Sequence, residues 1–345
     1  MNSLNSRRSF IKKGLLASPF FTMSSFNSFE IGNKIIGHGD FRFKLDSKWS
    51  SQDAVKHPVD NCHEMVIDSK DRLYMTTTTP KNNILIYSKD GKVLNSLNLN
   101  FPGAHGLTLS NEGGEEFLYV TDPDNNKFCK TTIEGKKIFE FSAPKEISAY
   151  SSENLFKPTE IAVSPNGDFY VADGYGLDYI IQYDFNGRYI RHFGGRGQDK
   201  NQFNCCHGIT VDYRNSNKKT LLITSRSNNE FKRFSMNGEW IETIKMPGCY
   251  ICRPVIKDGF LFFAVIVTKD WGKYDGMLAI LDQNNKIISM PGGSEPIYEN
   301  GVFQKPVYDN SSFKNPHDVC IDSDWNIYVP QWNSGKTFPV KLKRV

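Results

Sequence analysis

The sequence predicts an all-β fold, a six-bladed β-propeller whose ring is closed by an N-terminal strand added to the last blade. Two observations carry that prediction. One unit recurs six times along the 345 residues: an apolar β-branched run, a turn with Asp, Asn or Gly, and a strand that usually contains Tyr. Its starts lie 42, 54, 48, 45 and 65 residues apart, the length of four-stranded propeller blades with insertions. Composition agrees, because 25 Phe, 15 Tyr and 5 Trp beside 27 Gly and 16 Pro favour strands broken by turns over helices.

The units follow one another in order. Blade one opens at His63-Glu-Met-Val-Ile-Asp68 and continues in Leu73-Tyr-Met75; blade two is His105-Gly-Leu-Thr-Leu109 with Leu118-Tyr-Val-Thr-Asp122. Blade three, Thr159-Glu-Ile-Ala-Val163 with Phe169-Tyr-Val-Ala-Asp173, also displays its outer half as Tyr179–Tyr183, the turn Asp184-Phe-Asn-Gly187 and Tyr189–His192. Blade four is His207-Gly-Ile-Thr-Val-Asp212 with Leu222–Ser225. Blade five, the most divergent, is Cys252–Ile256 with Phe260–Val267, and blade six is His317–Asp322 with Ile327–Val329. Beyond Val340 there is no room for a fourth strand, while Phe41-Arg-Phe-Lys-Leu45 stands before blade one without a partner. That early segment is expected to close the ring as the outer strand of blade six, covering an edge that would otherwise lie open. The unit resembles the NHL repeat over nearly all of residues 41–345.

Residues 1–30 read as an export signal rather than as part of the fold. Ser6-Arg7-Arg8-Ser9-Phe10-Ile11-Lys12-Lys13 matches the twin-arginine pattern and precedes a short apolar stretch. The expectation is a bacterial, periplasmic or otherwise exported protein, delivered folded by the twin-arginine machinery. A net charge of +4 is too small for the broad basic face of a nucleic-acid binder. No stretch near 18 apolar residues exists to span a membrane, and a monomer is expected. The seven cysteines form no secreted mini-protein framework. Cys249 and Cys252 could pair, or Cys205, Cys206, Cys249 and Cys252 could bind zinc, although vicinal cysteines lack the usual ligand spacing.

Aligned on the first strand, the leading residues are His63, His105, Thr159, His207, Cys252 and His317, so four of the seven histidines share one register. First strands line a propeller's channel, and residues at their starts converge on one axis. Convergent neutral imidazoles are ligands for zinc or a similar metal, and three of them leave a coordination position open for chemistry. The competing reading is a hydrogen-bonded polar channel. A second equivalent position, the end of each second strand, offers Thr77-Thr-Thr79, Asp173-Gly-Tyr175, Ser225-Arg-Ser227 and Gln331-Trp-Asn333. Tyr175 and Arg226 are therefore expected on the same face as the imidazoles.

Pro158–Val163, Asp173-Gly-Tyr175, Phe203–Gly208 and the Arg226 strand end resemble consecutive blades of the peptidyl-α-hydroxyglycine α-amidating lyases. The resemblance implies zinc held by His105, His207 and His317, with Tyr175 and Arg226 acting on the substrate. It also implies a structural calcium held by Asp318 and by the backbone carbonyls of Met65 and Leu107. His63 would orient another imidazole or serve as an extra ligand. Two departures stand out: Thr78 falls where the family has a further arginine, and Gly176 where it has a disulfide cysteine. Arg253, one residue past the blade-five ring position, is a candidate to restore the missing substrate-binding charge.

The implied reaction cleaves the N–Cα bond of an α-hydroxyglycine in a small-molecule or peptide-like substrate, giving an amide and glyoxylate. Other readings remain open: a different metal-dependent lyase or hydrolase on the same propeller site, and a non-enzymatic NHL-type binding propeller. The chain holds no copper monooxygenase domain to make a hydroxyglycine.

Overall fold

The structure is a computed structural model that describes residues 34–214, 218–266 and 275–345. The twin-arginine stretch and Val267, expected at the end of blade five's second strand, lie outside the described residues. Six antiparallel sheets form the blades of a propeller, and helix is confined to two 3-10 turns among the described residues.

Blade one consists of Cys62–Ile67, Leu73–Thr77, Ile84–Tyr87 and Val93–Leu97, and blade two of Leu107–Glu112, Glu115–Asp122, Lys127–Thr132 and Lys137–Phe141. Blade three is Glu160–Val163, Phe169–Ala172, Tyr179–Tyr183 and Tyr189–Gly194; blade four is Ile209–Asp212, Thr220–Ser225, Glu230–Ser235 and Trp240–Lys245. Blade five is Val255–Lys257, Phe260–Val265, Met277–Leu281 and Ile287–Ser289. A small hairpin, Tyr298–Glu299 with Val302–Phe303, accounts for part of the long interval before blade six.

Blade six combines both ends of the fold. Cys320–Ile321, Ile327–Val329 and Val340–Arg344 are followed in the sheet by Phe41–Asp46, with Phe43 opposite Arg344 and Leu45 opposite Leu342. This is the expected closure. A fifth strand, Ile35–His38, pairs outside it with Ile36 opposite Phe43.

Strand alternation explains how the blades adhere, since successive side chains leave opposite faces of a sheet. Leu73 and Met75 pack toward blade six, while Tyr74 between them packs toward blade two. Phe169 and Val171 face blade two; Tyr170 and Ala172 face blade four. Each of the six blade interfaces has its own buried apolar cluster.

The recurring tyrosine also has a physical cause. A buried phenol needs an acceptor for its hydroxyl; in blades one, two and six an acid near the end of the preceding strand supplies one, and in blade three Tyr170 donates to the Met236 carbonyl at 2.8 Å. Tyr74 donates to Asp68 at 3.2 Å, Tyr119 to Glu112 at 3.0 Å and Tyr328 to Asp322 at 2.9 Å. The Asp184–Gly187 turn closes as expected, with the Asp184 carboxylate accepting from the Asn186 and Arg188 amides at 2.9 Å and Gly187 at φ 80°.

Candidate functional site

The four in-register histidines meet on the axis. Ring centroids lie 4.4 Å apart for His63 and His105, 4.8 Å for His63 and His317, 4.8 Å for His105 and His207, and 5.0 Å for His207 and His317. All four side chains are buried. His63, His105 and His317 each bring one ligand nitrogen within 4.8 Å of the other two. His207 joins through its Nε2, 3.2 Å from His105 Nε2.

Backbone carbonyls set two of the rings. Nδ1 of His105 lies 2.9 Å from the Thr159 carbonyl, and Nδ1 of His317 lies 3.0 Å from the His63 carbonyl. A carbonyl only accepts, so each Nδ1 carries the proton and each Nε2 keeps its lone pair. His63 thus orients His317 with its backbone while its own ring stands in the cluster. Among the described residues the buried Nδ1 atoms of His63 and His207 have no hydrogen-bond partner. Burial holds all four imidazoles below the ordinary histidine range, His105 down to about 3 and the others well below, so they stay neutral. Neutral, carbonyl-oriented imidazoles with convergent lone pairs fit a zinc-type ion.

Over this cluster opens a cavity of about 580 Å³, with His63 and His105 in its lining. Each blade contributes to the rim from the end of its second strand: Thr78, Asp124, Tyr175, Arg226, Ile266 and Trp332. The register thus brings together Tyr175 and Arg226 as expected, along with Asp124, Ile266 and the wall residue Tyr250, which no sequence signal had marked.

Tyr175 is 40% exposed over the whole residue, yet its hydroxyl is enclosed among polar groups. It lies 3.1 Å from His207 Nε2, 3.2 Å from His105 Nε2 and 3.4 Å from Arg226 Nη1. Burial raises its pKa above the ordinary tyrosine value, and the neighbouring guanidinium pulls the other way. The loop that aims it is tied down by Asp173, whose carboxylate accepts from the Lys157 and Leu177 amides at 2.6 Å and from Tyr150 at 2.7 Å. At Gly176 a Cβ would collide with that carboxylate and with the Leu155 carbonyl. The loop in this conformation has no room for the family's cysteine.

Arg226 is 4% exposed, follows its strand in a 3-10 turn, and donates from Nε to the Ile251 carbonyl at 3.0 Å. Its Nη2 lies 3.3 Å from Cys252 Sγ. Among the described residues no carboxylate forms an ion pair with it, so a buried guanidinium stands un-neutralised at the cavity wall, where it is chemically able to pair with an anion. All seven cysteines are free thiols, so neither Cys249 with Cys252 nor any other pair is bridged.

Arg253 does not reach this cavity. It lines a separate cavity of about 480 Å³, among first-strand residues such as Met65, Ile161 and Val319. Its guanidinium meets Asp318 and the Met65 and Leu107 carbonyls, the donors for which the resemblance implied calcium. Its sequence position beside Cys252 suggested the mouth, but it lies one residue further along the chain, and its side chain reaches the Met65 and Leu107 carbonyls and Asp318 instead.

No family model matches the chain. A Caenorhabditis elegans protein named a probable peptidyl-alpha-hydroxyglycine alpha-amidating lyase is 22% identical over 268 residues, 75% of this chain and 70% of its own length. The Xenopus laevis peptidyl-glycine alpha-amidating monooxygenase B is 25% identical over 262 residues, 71% of this chain but 27% of the frog protein. Mouse NHL repeat-containing protein 3 is 24% identical over 212 residues, 58% of each chain. Among solved structures, a streptogramin B lyase superposes with a TM-score of 0.57 at 16% identity, covering 87% of this chain and 97% of that one. The chain is thus a six-bladed propeller similar in sequence to NHL-repeat proteins and to proteins named as amidating lyases.

Proposed function

We propose that the protein is a zinc-dependent lyase that cleaves the N–Cα bond of an α-hydroxyglycine, releasing an amide and glyoxylate. The observation that carries the reading is the placement of the Tyr175 hydroxyl within 3.4 Å of two ring nitrogens and a buried guanidinium. His105, His207 and His317 would hold the metal, as the resemblance implies, His207 standing beside His105 through its Nε2; His63, whose ring nitrogen lies within 4.8 Å of those of His105 and His317, is as well placed to be a ligand. Zinc bound there supplies Lewis-acid chemistry that makes a neighbouring substrate hydroxyl more acidic.

The chain's own residues do the rest. Arg226 receives the substrate carboxylate in a charge-assisted pair, fixing the hydroxyl-bearing carbon over the imidazoles. Tyr175 gives its proton to the departing amide nitrogen and takes the proton of the substrate hydroxyl. The N–Cα bond breaks as the C–O bond becomes a carbonyl, so atoms and charge balance. Such a relay needs no free phenolate, which accords with a phenol whose pKa burial has raised.

Thr78 at the blade-one rim favours a second reading, a metal-dependent lyase or hydrolase acting on another small carboxylate. Glyoxylate release from an N-acyl-α-hydroxyglycine separates the two. Release by the zinc-loaded protein supports the first; metal binding without release supports the second. A metal-free wild type that still binds ligand would favour the non-enzymatic binding propeller. The same reading takes residues 1–30 as a twin-arginine signal, tested by whether an Arg7→Lys, Arg8→Lys double variant stays in the cytoplasm of a bacterial host.

A further inference from the structure

Directly after the histidine ring comes a second ring that the metal centre does not use. In blade order its members are Glu64, Gly106, Glu160, Gly208, Arg253 and Asp318. Four are charged, and all four are buried. The two glycines leave the room the others need: a Cβ at Gly208 would stand 2.7 Å from Arg253 Cα, and one at Gly106 would stand 3.0 Å from Glu160 Cα.

The guanidinium of Arg253 sits at the centre of this ring. Its Nη1 donates to the Leu107 carbonyl at 2.6 Å, and its Nη2 to the Met65 carbonyl at 3.0 Å and to Asp318 Oδ2 at 2.5 Å. Its Nε donates to Asp318 Oδ1 at 3.2 Å. Glu64 Oε2 stands 3.2 Å from Nη1, and Glu160 Oε2 3.8 Å from Nε. These carboxylates are held from behind, because Glu64 also accepts from the Leu107 amide at 2.7 Å and Asp318 from the Met65 amide at 2.9 Å.

We infer that Arg253 is the resident cation of the propeller axis, standing where the family resemblance implies calcium. Calcium needs six to eight oxygens within about 2.6 Å. The Asp318 carboxylate and both carbonyls instead face a planar cation at hydrogen-bond distances, so the oxygens that would bind calcium are already taken by guanidinium N–H donors. Because the guanidinium is covalently part of blade five, it ties that blade to blades one, two, three and six without any ion that a chelator could remove. This conclusion concerns the scaffold and stands whether or not the proposed reaction is correct.

The test is calcium analysis of the full-length protein, with thermal unfolding in EGTA and in excess calcium. The wild type is expected to carry no stoichiometric calcium and to unfold at the same temperature in both buffers. Arg253→Ala removes the cation from a cage of three carboxylates and two carbonyls. This variant is expected to unfold at a lower temperature in EGTA and to regain stability when calcium is added. A wild type holding one calcium per chain and losing stability in EGTA would overturn the inference. So would an Arg253→Ala protein whose stability matches the wild type in EGTA. If that variant fails to fold, the wild-type comparison decides alone.

Discussion

Tyr175 and Arg226 have separable parts in the proposed chemistry, and kinetics should separate them. Tyr175→Phe is expected to keep the metal and to lower kcat by roughly 10²- to 10⁴-fold, the usual contribution of a positioned proton-transfer group. Arg226→Met is expected to act mainly on KM, raising it about 10- to 100-fold as a charged hydrogen-bonding partner worth about 1.5–3 kcal/mol is lost. Steady-state glyoxylate assays on both variants check this. The buried imidazoles carry a pH signature of their own. Their folded-state pKa values lie below the ordinary histidine value, so the unfolded chain binds protons first. In the metal-free protein their contribution is fully present above about pH 6.5 and is lost as pH falls below it. The urea midpoint should therefore drop between pH 7 and pH 5, and drop less in His105→Gln. The histidine ring was legible in the sequence because so few histidines exist and four share one register. Arg253 was misplaced, because register identifies a channel residue without saying which way along the axis its side chain runs.

At the level of strands and turns, two contacts should dominate. Phe43, fully buried in the strand that closes the ring, packs against residues of blades five and six. Phe43→Ala is expected to cost about 3–5 kcal/mol, measured by denaturant unfolding. The second contact is Asp212, at the end of blade four's first strand. Burial alone would raise its pKa, but hydrogen bonds from Arg214 and Arg233 bring it down to about 2. Arg214 also donates to the Asp282 carbonyl at 3.1 Å, linking blade four to blade five. A depressed carboxylate stabilises the fold above its unfolded pKa, so Asp212 contributes about 2 kcal/mol above about pH 4 and loses it as pH falls toward about 2. Asp212→Asn should lower stability at neutral pH and flatten that acid limb. The closing strand could be read from the sequence because the last unit lacked a strand and Phe41–Leu45 lacked a partner. The Ile35–His38 strand and the Tyr298–Phe303 hairpin could not, since strands of two to four residues leave too few alternations to register.

Across the whole molecule, the core is divided into six interfaces that join each blade to the next, so no blade buries its apolar faces alone. That arrangement was legible because a repeat declares itself, and it placed two rings of site residues without any knowledge of side-chain contacts. What the repeat did not reveal was the acidic ring beneath the histidines. Its members follow the ring residues directly, as Glu64, Glu160 and Asp318 follow His63, Thr159 and His317, and that one-step offset was the available signal. The central claim is that zinc on the imidazole ring serves a lyase reaction. It is tested most directly by measuring zinc content and glyoxylate release from an N-acyl-α-hydroxyglycine on the same purified protein, beside His207→Ala. The prediction is about one zinc per chain, glyoxylate and amide formed in equal amounts, and loss of both zinc and release in the variant. A fully zinc-loaded wild type that releases no glyoxylate would contradict it.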